Sequence, residues 1–311
     1  MHHYEWQAML GLSKKGNTGV SLVLSSGGAR GLAHIGVIEE LLTRDFCINS
    51  VVGSSMGALV AGLYASGGLE NFKNWAVGLS KLEMLSLVDF TLTSRGIIKG
   101  EKVFNQMQKL GLIPDINIED LPIPFAAVAV DIINGKEVVF RSGSLLKAIR
   151  ASIAIPSVFT PVAHEDGLLI DGGVLSPLPL QHATRSKHDL LVAVDVNSFT
   201  PYGKPIARIR RRMEQVDKPK LLKKWDAFNR QHKQPMSGRA MQKGVGYLQL
   251  LTRSSLLMQA KLTQYAVGES TPDILVPISK DVSTAYEFYR ANELIGFGRQ
   301  RCAEVLDGKG L

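Results

Sequence analysis

The chain has 311 residues, of which 45% are hydrophobic, and this size and composition fit one large α/β domain with a substantial core. Its two cysteines are too few for a disulfide framework and are expected to be reduced thiols. No apolar run approaches the roughly 18 uncharged residues of a transmembrane helix, and the N-terminus lacks the apolar core of a secretory signal. We therefore expect a cytoplasmic protein.

The formal net charge of +8 is concentrated in one segment. Residues 204–243 contain 13 Lys or Arg and 3 Asp or Glu, a net of +10, so the rest of the chain is slightly acidic. The surrounding stretch, residues 198–244, is punctuated by proline and only weakly periodic. The sequence predicts a basic insertion or lid there, within a domain that spans residues 18–311 and follows an N-terminal extension at residues 1–17.

Short apolar runs alternate with helical patterns along the chain. The predicted strands cover residues 20–24, 48–52, 125–131, 136–141, 168–171, 190–195 and 273–277. The predicted helices cover residues 31–44, 56–66, 69–79, 101–110, 145–152, 245–267 and 284–306, and the helix at 245–267 is expected to be buried or half-buried. Asn134-Gly135 predicts a two-residue hairpin turn between the third and fourth strands. This order predicts a three-layer α/β/α domain with a mostly parallel central sheet and helices on both faces.

The first strand runs into a glycine-rich turn, Gly27-Gly28-Ala29-Arg30-Gly31. Backbone N–H groups in such a turn, at the start of a helix, suit an anion or a developing oxyanion. A plain strand-to-helix connection is the alternative without chemistry. A nicotinamide site is disfavoured, because Ser26 holds the position of its first glycine and no acidic residue ends the second strand.

The second strand runs into Gly53-Ser54-Ser55-Met56-Gly57, a turn of the form G-x-S-x-G. Between a strand and a helix, this motif exposes the hydroxyl of its central serine, here Ser55, as a nucleophile, with Gly53 and Gly57 shaping the sharp turn. A serine that only caps the helix is the alternative, and Ser54 is the competing hydroxyl. The motif supplies a nucleophile but does not identify its base.

The position of this serine argues against an ordinary α/β-hydrolase. In that fold the nucleophile follows several strands, whereas Ser55 follows only the second. His182 and His188 follow Asp171 in the expected order, but they lie in a polar stretch within 17 residues of it and are expected at the surface. His34 is expected to be a packed residue of the first helix. These positions leave the base of Ser55 unassigned.

A third motif, Asp171-Gly172-Gly173, follows a short apolar strand that can present the carboxylate at the edge of the sheet. A plain Asp-Gly turn is the alternative for this motif taken alone. In order with the two earlier turns, the motif resembles the patatin-like phospholipase family, especially its single-domain bacterial members. The resemblance covers roughly residues 20–196 and extends more weakly over 245–267 and the strand near 273. The linking segments that also fit are Ser94-Arg95-Gly96, residues 151–156 and Phe159-Thr160-Pro161.

The resemblance implies a serine–aspartate dyad without histidine. Ser55 would be the nucleophile and Asp171 its base, with Gly172 and Gly173 in the turn that follows the base. A free aspartate has a pKa near 3.9 and is a poor base at neutral pH, so burial is expected to raise the pKa of Asp171.

The resemblance also assigns the glycine-rich turn. Gly27, Gly28, Ala29, Arg30 and Gly31 would form the oxyanion hole, and the Arg30 side chain would orient this loop or attract a lipid phosphate. Ser26 departs from the family pattern, because many members have a third glycine there. The implied activity is hydrolysis of carboxylic esters of phospholipids or lysophospholipids, with no metal and no other cofactor.

Two other functions remain open from the sequence. One is an acyltransferase or thioesterase that uses the same serine, and the other is a non-catalytic lipid-binding regulator. The basic segment at 204–243 predicts either a solvated insertion or peripheral contact with anionic head groups at the inner membrane face. Nucleic acid is not expected as a partner, because no binding motif accompanies the charge.

Overall fold

The computed structural model describes residues 18–87, 101–156, 158–201 and 247–311. Three sequence predictions lie outside these ranges, wholly or for the most part. They are the N-terminal extension at 1–17, the Ser94-Arg95-Gly96 segment, and the basic insertion, of which residues 198–201 are described.

The described residues form an eight-stranded sheet flanked by helices. The strands are β1 Gly19–Leu24, β2 Cys47–Ser54, β3 Phe125–Asp131, β4 Lys136–Phe140, β5 Val162–His164, β6 Gly167–Asp171, β7 Leu190–Ser198 and β8 Ile274–Ser279. The helices are α1 Ala33–Thr43, α2 Met56–Ala65, α3 Leu69–Gly78, α4 Lys81–Leu87, α5 Glu101–Lys109, α6 Leu145–Ser152, α7 Tyr247–Glu269 and α8 Ala291–Asp307.

The strand order is β5-β6-β3-β2-β1-β7-β8, with β4 paired to β3. Neighbours within β3-β2-β1-β7-β8 are parallel, and β4, β5 and β6 add antiparallel pairs at one side. The predicted mostly parallel sheet is therefore confirmed. The chain passes from β1 to β2 on one side and later places β7 on the other, so the order reverses between β1 and β7. Ligands of open α/β sheets bind beyond the carboxyl ends of the strands at such a reversal.

Alternation of apolar residues along the strands places a hydrophobic core on each face of the sheet. Val20, Leu22 and Leu24 of β1 face the larger core, which α1, α2, α6 and α8 cover. Val23 faces the smaller core on the opposite side. There the covering residues are Leu178, Leu180 and the last turns of α7, with Ala266 and Val267 against the sheet. Helical segments thus lie on both faces, as the alternation predicts.

Two strands meet end to end along one edge of β3. β2 runs parallel to β3 and its last pair is Ser54 with Val128, whereas β6 runs antiparallel and its last pair is Asp171 with Ala129. β4 pairs with residues 127–131 of β3 and so occupies the opposite edge. The residues that follow β2 and those that end β6 are therefore brought together at the carboxyl edge of the sheet.

Three local predictions are wrong. The β3–β4 loop has four residues, because Asp131 pairs with Lys136, so Asn134-Gly135 does not form a two-residue turn alone. The last helix begins at Ala291 and not at residue 284, since residues 284–290 instead approach the turn at 27–31. Helix α4 and strand β5, both short, have no counterpart among the predicted elements.

Helix α7 also differs from its prediction. Most of its described side chains are exposed and only Thr263 is buried, although the sequence predicts a buried or half-buried helix. Apolar content suggests burial, but α7 rests on the sheet only through its C-terminal end. Within the described ranges, no helix combines the length and the hydropathy that crossing a membrane requires.

Candidate active site

Ser55 sits in a strained turn between β2 and α2. Its backbone has φ 56° and ψ −124°, a conformation that a non-glycine residue adopts only when the surrounding structure enforces it. Gly53 and Gly57 permit this turn, because a Cβ on Gly53 would lie 2.3 Å from the Gly57 carbonyl oxygen and a Cβ on Gly57 would lie 2.3 Å from the Leu24 carbonyl oxygen. The G-x-S-x-G spacing thus allows β1, β2 and α2 to approach closely around the serine.

The Ser55 hydroxyl donates a hydrogen bond to Asp171. Its Oγ lies 2.5 Å from Asp171 Oδ2, and the other carboxylate oxygen, Oδ1, accepts from the Gly173 amide at 2.8 Å. Ser55 is 3% exposed and Asp171 is 5% exposed. Burial raises the pKa of Asp171 from 3.8 to about 7, against the opposing effect of these two hydrogen bonds. The carboxylate is buried and not open at the sheet edge, and it is far more basic than a free aspartate.

Gly172 and Gly173 let the aspartate turn pack against strand β3 and against the start of the glycine-rich turn. A Cβ on Gly172 would lie 2.1 Å from the Val128 carbonyl oxygen, and a Cβ on Gly173 would lie 2.7 Å from Ser26. The three motifs of the sequence therefore meet in one place. Ser26, where many family members have a glycine, has a buried hydroxyl without a hydrogen-bond partner among the described residues.

A fourth residue, Ser152, holds the backbone of Ser55. Ser152 is fully buried at the end of α6, and its hydroxyl accepts from the Ser55 amide at 2.9 Å and donates to the Val128 carbonyl at 2.6 Å. It therefore ties the strained turn to β3. Sequence reasoning missed this role, although Ser152 lies in the segment 151–156 that contributes to the family resemblance.

We expect Ser152→Ala to slow the reaction of Ser55 by about tenfold or more, because the buried Ser55 amide and Val128 carbonyl each lose a partner, at about 1–3 kcal/mol. Ser152→Thr, which keeps the hydroxyl, should recover much of the rate. Ser21→Ala is the matched control, since Ser21 is also a buried serine but bonds to Ser50 and Thr184. Labelling rates with a fluorophosphonate and melting temperatures check this. Equal slowing in both alanine variants would contradict the positioning role.

The glycine-rich turn is anchored by hydrogen bonds to its backbone. The Ser26 amide donates to Pro177 at 2.8 Å, and the Ser26 carbonyl accepts from the Asn197 side chain at 2.7 Å. Gly28 has φ 56° and begins a 3-10 turn that leads into α1. The Ala29 amide donates to the Ala285 carbonyl at 2.8 Å, so, contrary to expectation, it is not available to an oxyanion.

The Arg30 side chain faces the protein interior. It is 5% exposed and donates to the Val196 carbonyl, the Ser283 carbonyl and the Asn197 side-chain oxygen at 3.1, 3.2 and 2.6 Å. Burial lowers the pKa of Arg30 to about 10, so the guanidinium stays charged at neutral pH. The structure therefore supports the loop-orienting alternative for Arg30, and its burial contradicts contact with a lipid phosphate.

The histidines hold the positions that the sequence predicts. His34 is fully buried in α1, and its Nε2 donates to the Ser25 carbonyl at 2.9 Å; burial lowers its pKa to about 4, which keeps it neutral. His182 pairs with Glu137, and His188 is exposed. Within the described parts of the chain, no group of three or more His, Cys, Asp or Glu side chains is arranged to hold a metal ion.

A serine on a strained strand-to-helix turn, hydrogen-bonded to a buried carboxylate at the carboxyl ends of the strands, is typical of serine hydrolases that act on esters. Residues 22–184 match the family model described as patatin-like phospholipase. The chain belongs to the patatin-like phospholipase family, whose members act on lipid substrates.

The chain is similar to proteins from bacteria and mammals. An uncharacterized NTE family protein of Mycobacterium tuberculosis is 31% identical over 93% of this chain and 91% of its own length. Patatin-like phospholipase domain-containing protein 7 of Mus musculus is 31% identical over 59% of this chain and 14% of its own length. Among solved structures, VipD from Legionella pneumophila aligns with a TM-score of 0.44 and 15% identity, over 95% of this chain and 68% of that one.

Proposed function

We propose that this protein is a serine hydrolase that cleaves carboxylic ester bonds of phospholipids or lysophospholipids, with Ser55 as the nucleophile and Asp171 as its base. The observation that carries the proposal is the 2.5 Å hydrogen bond from the Ser55 hydroxyl to a buried carboxylate whose pKa is raised to about 7. A general base works best when its pKa lies near the operating pH. The family's lipid substrates supply the substrate class.

In the proposed first half-reaction, Asp171 Oδ2 takes the Ser55 proton while Oγ attacks the ester carbonyl carbon. The amides of Gly27 and Gly28, at the start of the 3-10 turn, donate to the oxyanion. Asp171 then returns the proton to the leaving alcohol, and an acyl-enzyme remains on Ser55. A water that loses its proton to Asp171 hydrolyses the acyl-enzyme, which releases the fatty acid and restores the dyad.

The anchoring of the glycine-rich turn supports its assignment as an oxyanion hole. Stabilisation of a developing charge depends on donors that are fixed before the reaction. Here Pro177, Asn197 and Ala285 form hydrogen bonds with the backbone of Ser26 and Ala29, and buried Arg30 ties the turn to β7. No step of this mechanism requires a metal or an organic cofactor.

Ser55→Ala should abolish covalent labelling by a fluorophosphonate probe, because the probe needs an activated serine hydroxyl. Ser54→Ala is the matched control: Ser54 precedes Ser55, is fully buried, and its hydroxyl has no partner among the described residues. Labelled peptides located by mass spectrometry check the assignment. Labelling that survives in Ser55→Ala, or absence of labelling in the unmodified protein, contradicts the proposed nucleophile.

Product analysis separates hydrolysis from acyl transfer. The unmodified protein and Ser55→Ala are incubated with diacyl and lysophospholipids, with and without an added acceptor alcohol. Free fatty acid as the main product supports the proposed hydrolase. Accumulation of a new ester of the acceptor identifies an acyltransferase that uses the same serine.

A further inference from the structure

Two isoleucines stand exposed at the tip of the β3–β4 hairpin. Ile132 is 53% exposed and Ile133 is 66% exposed, and they fill the first half of the four-residue loop. Turn positions of this kind usually carry polar or glycine residues. Neither side chain belongs to a hydrophobic core cluster of the described residues. An exposed apolar pair at a protruding tip indicates a contact outside the chain.

The loop that carries these isoleucines is held in shape by Asp131. Its carboxylate accepts from the Asn134 side chain at 2.7 Å, and from the amides of Ile133 and Leu168 at 3.0 and 3.2 Å. The bond from Asn134, helped by the backbone amides, lowers the pKa of Asp131 to about 2, so the carboxylate stays charged at every working pH. The apolar pair is thus presented on a fixed protrusion.

The tip lies on the same edge of the sheet as Ser55. Because β3 is parallel to β2, it continues past Val128, the partner of Ser54, for three more residues, which is about 10 Å. A second exposed apolar pair, Val174 and Leu175, follows the turn after Asp171 and is 39% and 38% exposed. Exposed apolar side chains on two separate loops therefore lie at the carboxyl ends of the strands, where the candidate dyad also lies.

The shape and charge of the tip fit a lipid surface. Two apolar side chains on a convex loop can enter a soft apolar layer, whereas a protein partner would need a groove that matches them. The exposed charges beside the tip are Glu165 and Asp166 in the β5–β6 turn and Lys136 at the start of β4, so the tip has no net attraction for anionic head groups. We infer that Ile132 and Ile133 insert into the surface of an uncharged or zwitterionic lipid aggregate and place the site against it. This inference rests on the proposed lipid substrate.

The first test measures co-sedimentation of the full chain with phosphatidylcholine vesicles at low and high salt. Apolar insertion is not weakened by salt, unlike contact through the basic segment at 204–243. The double substitution Ile132→Asp and Ile133→Asp should reduce vesicle binding by at least about tenfold, because both apolar side chains are lost from the contact. Leu110→Asp is the matched control, because Leu110 is also an exposed apolar residue, at 49%. It lies far from the tip: the carbonyl of nearby Leu112 approaches Gly68, which follows the end of α2 that is distant from Ser55.

A second variant reports insertion by tryptophan fluorescence while it keeps an apolar side chain at the tip. The emission of Ile133→Trp should shift to shorter wavelength when phosphatidylcholine vesicles are added, and that of Leu110→Trp should not. Vesicle binding equal to wild type in the double aspartate variant, binding that vanishes at high salt, or an unchanged Ile133→Trp emission each overturns the inference.

These readouts separate this inference from the proposed function. Vesicle binding needs no chemistry, so it can fail while fluorophosphonate labelling and hydrolysis of a water-soluble ester persist. In that case the dyad stands and the docking surface does not. Conversely, tip-dependent binding without labelling or ester hydrolysis overturns the proposed enzyme and leaves a lipid-docking protein.

Discussion

Asp171→Asn is expected to lower ester hydrolysis by about 10²–10⁴-fold, the usual contribution of a general base, while the chain remains folded. The asparagine oxygen can still accept the Ser55 hydrogen bond, so the geometry of the turn is retained and only the basicity is lost. For the unmodified protein, kcat/KM should decrease as the pH is lowered below about 7, because burial raises the pKa of Asp171 to about 7 and the base becomes protonated there. Rates with a soluble ester across pH 5–9 check both parts. Near-normal activity in the asparagine variant would contradict the dyad.

Asp171→Asn should lower activity but raise the free energy of unfolding at alkaline pH. The carboxyl titrates near pH 3.9 in the unfolded chain and near 7 in the folded one, so between these values the folded state binds more protons and its stability falls as pH rises. Above pH 7 the buried charge costs about 4 kcal/mol by the pKa difference. Asp171→Asn should therefore raise the free energy of unfolding at pH 8 and leave it nearly unchanged at pH 4.

Asp131→Asn is the matched control for this effect. Asp131 is also a buried aspartate, but the bond from Asn134 and the backbone amides lower its pKa to about 2. Its charge therefore stabilises the fold above the unfolded pKa, and this contribution is lost as pH falls through about 2. Asp131→Asn should lower stability at neutral pH. Denaturant titrations of both variants at pH 4 and pH 8 measure these changes in the free energy of unfolding, which should have opposite signs at pH 8.

Gly28→Ala is expected to reduce kcat by about 10²–10³-fold, the cost of losing an oxyanion donor. Gly28 has φ 56°, and a Cβ on it would lie 2.5 Å from the Ala285 carbonyl oxygen, the acceptor of the Ala29 amide. The turn would have to leave Ala285, and its amides would be displaced from their aligned positions.

Gly111→Ala isolates the effect of this contact. Gly111 has a similar φ of 63°, but a Cβ there would meet nothing within 4 Å. Both substitutions strain the backbone, and only the substitution at Gly28 pushes against a neighbouring loop. Steady-state rates with a soluble ester, together with circular dichroism, compare the two. Equal activity in both variants would contradict the role of Ala285 as a support of the oxyanion hole.

The regular pattern of the chain predicted most of the framework. The runs at 125–131 and 145–152 became β3 and α6 with the predicted bounds, because a continuous apolar run and a 3.6-residue period each match one structure. Helix α7 shows the limit of this reasoning. Leu250, Leu257 and Met258 have the composition of core residues, but they lie on the part of a long helix that the sheet does not reach.

The site was predictable only where motifs mark it. Ser55 and Asp171 are flanked by glycines, and those glycines mark close approaches between backbone segments. Ser152, Asn197 and Ala285 carry no such mark, because each acts through a contact with a residue distant in sequence. The role of Arg30 also needed the structure, since an arginine in a glycine-rich turn can point outward to a ligand or inward to β7.

Because β2 and β6 lie end to end on β3, the candidate site forms only when both strands pair with β3 in the native register. Ser55 and Asp171 are 116 residues apart in the chain, and their contact depends on the register of two separate strand pairs. A slip of β6 by one residue along β3 would turn Asp171 to the other face of the sheet. Recovery of fluorophosphonate labelling during refolding should therefore lag behind recovery of helical signal, and it reports when both pairs have reached their native register.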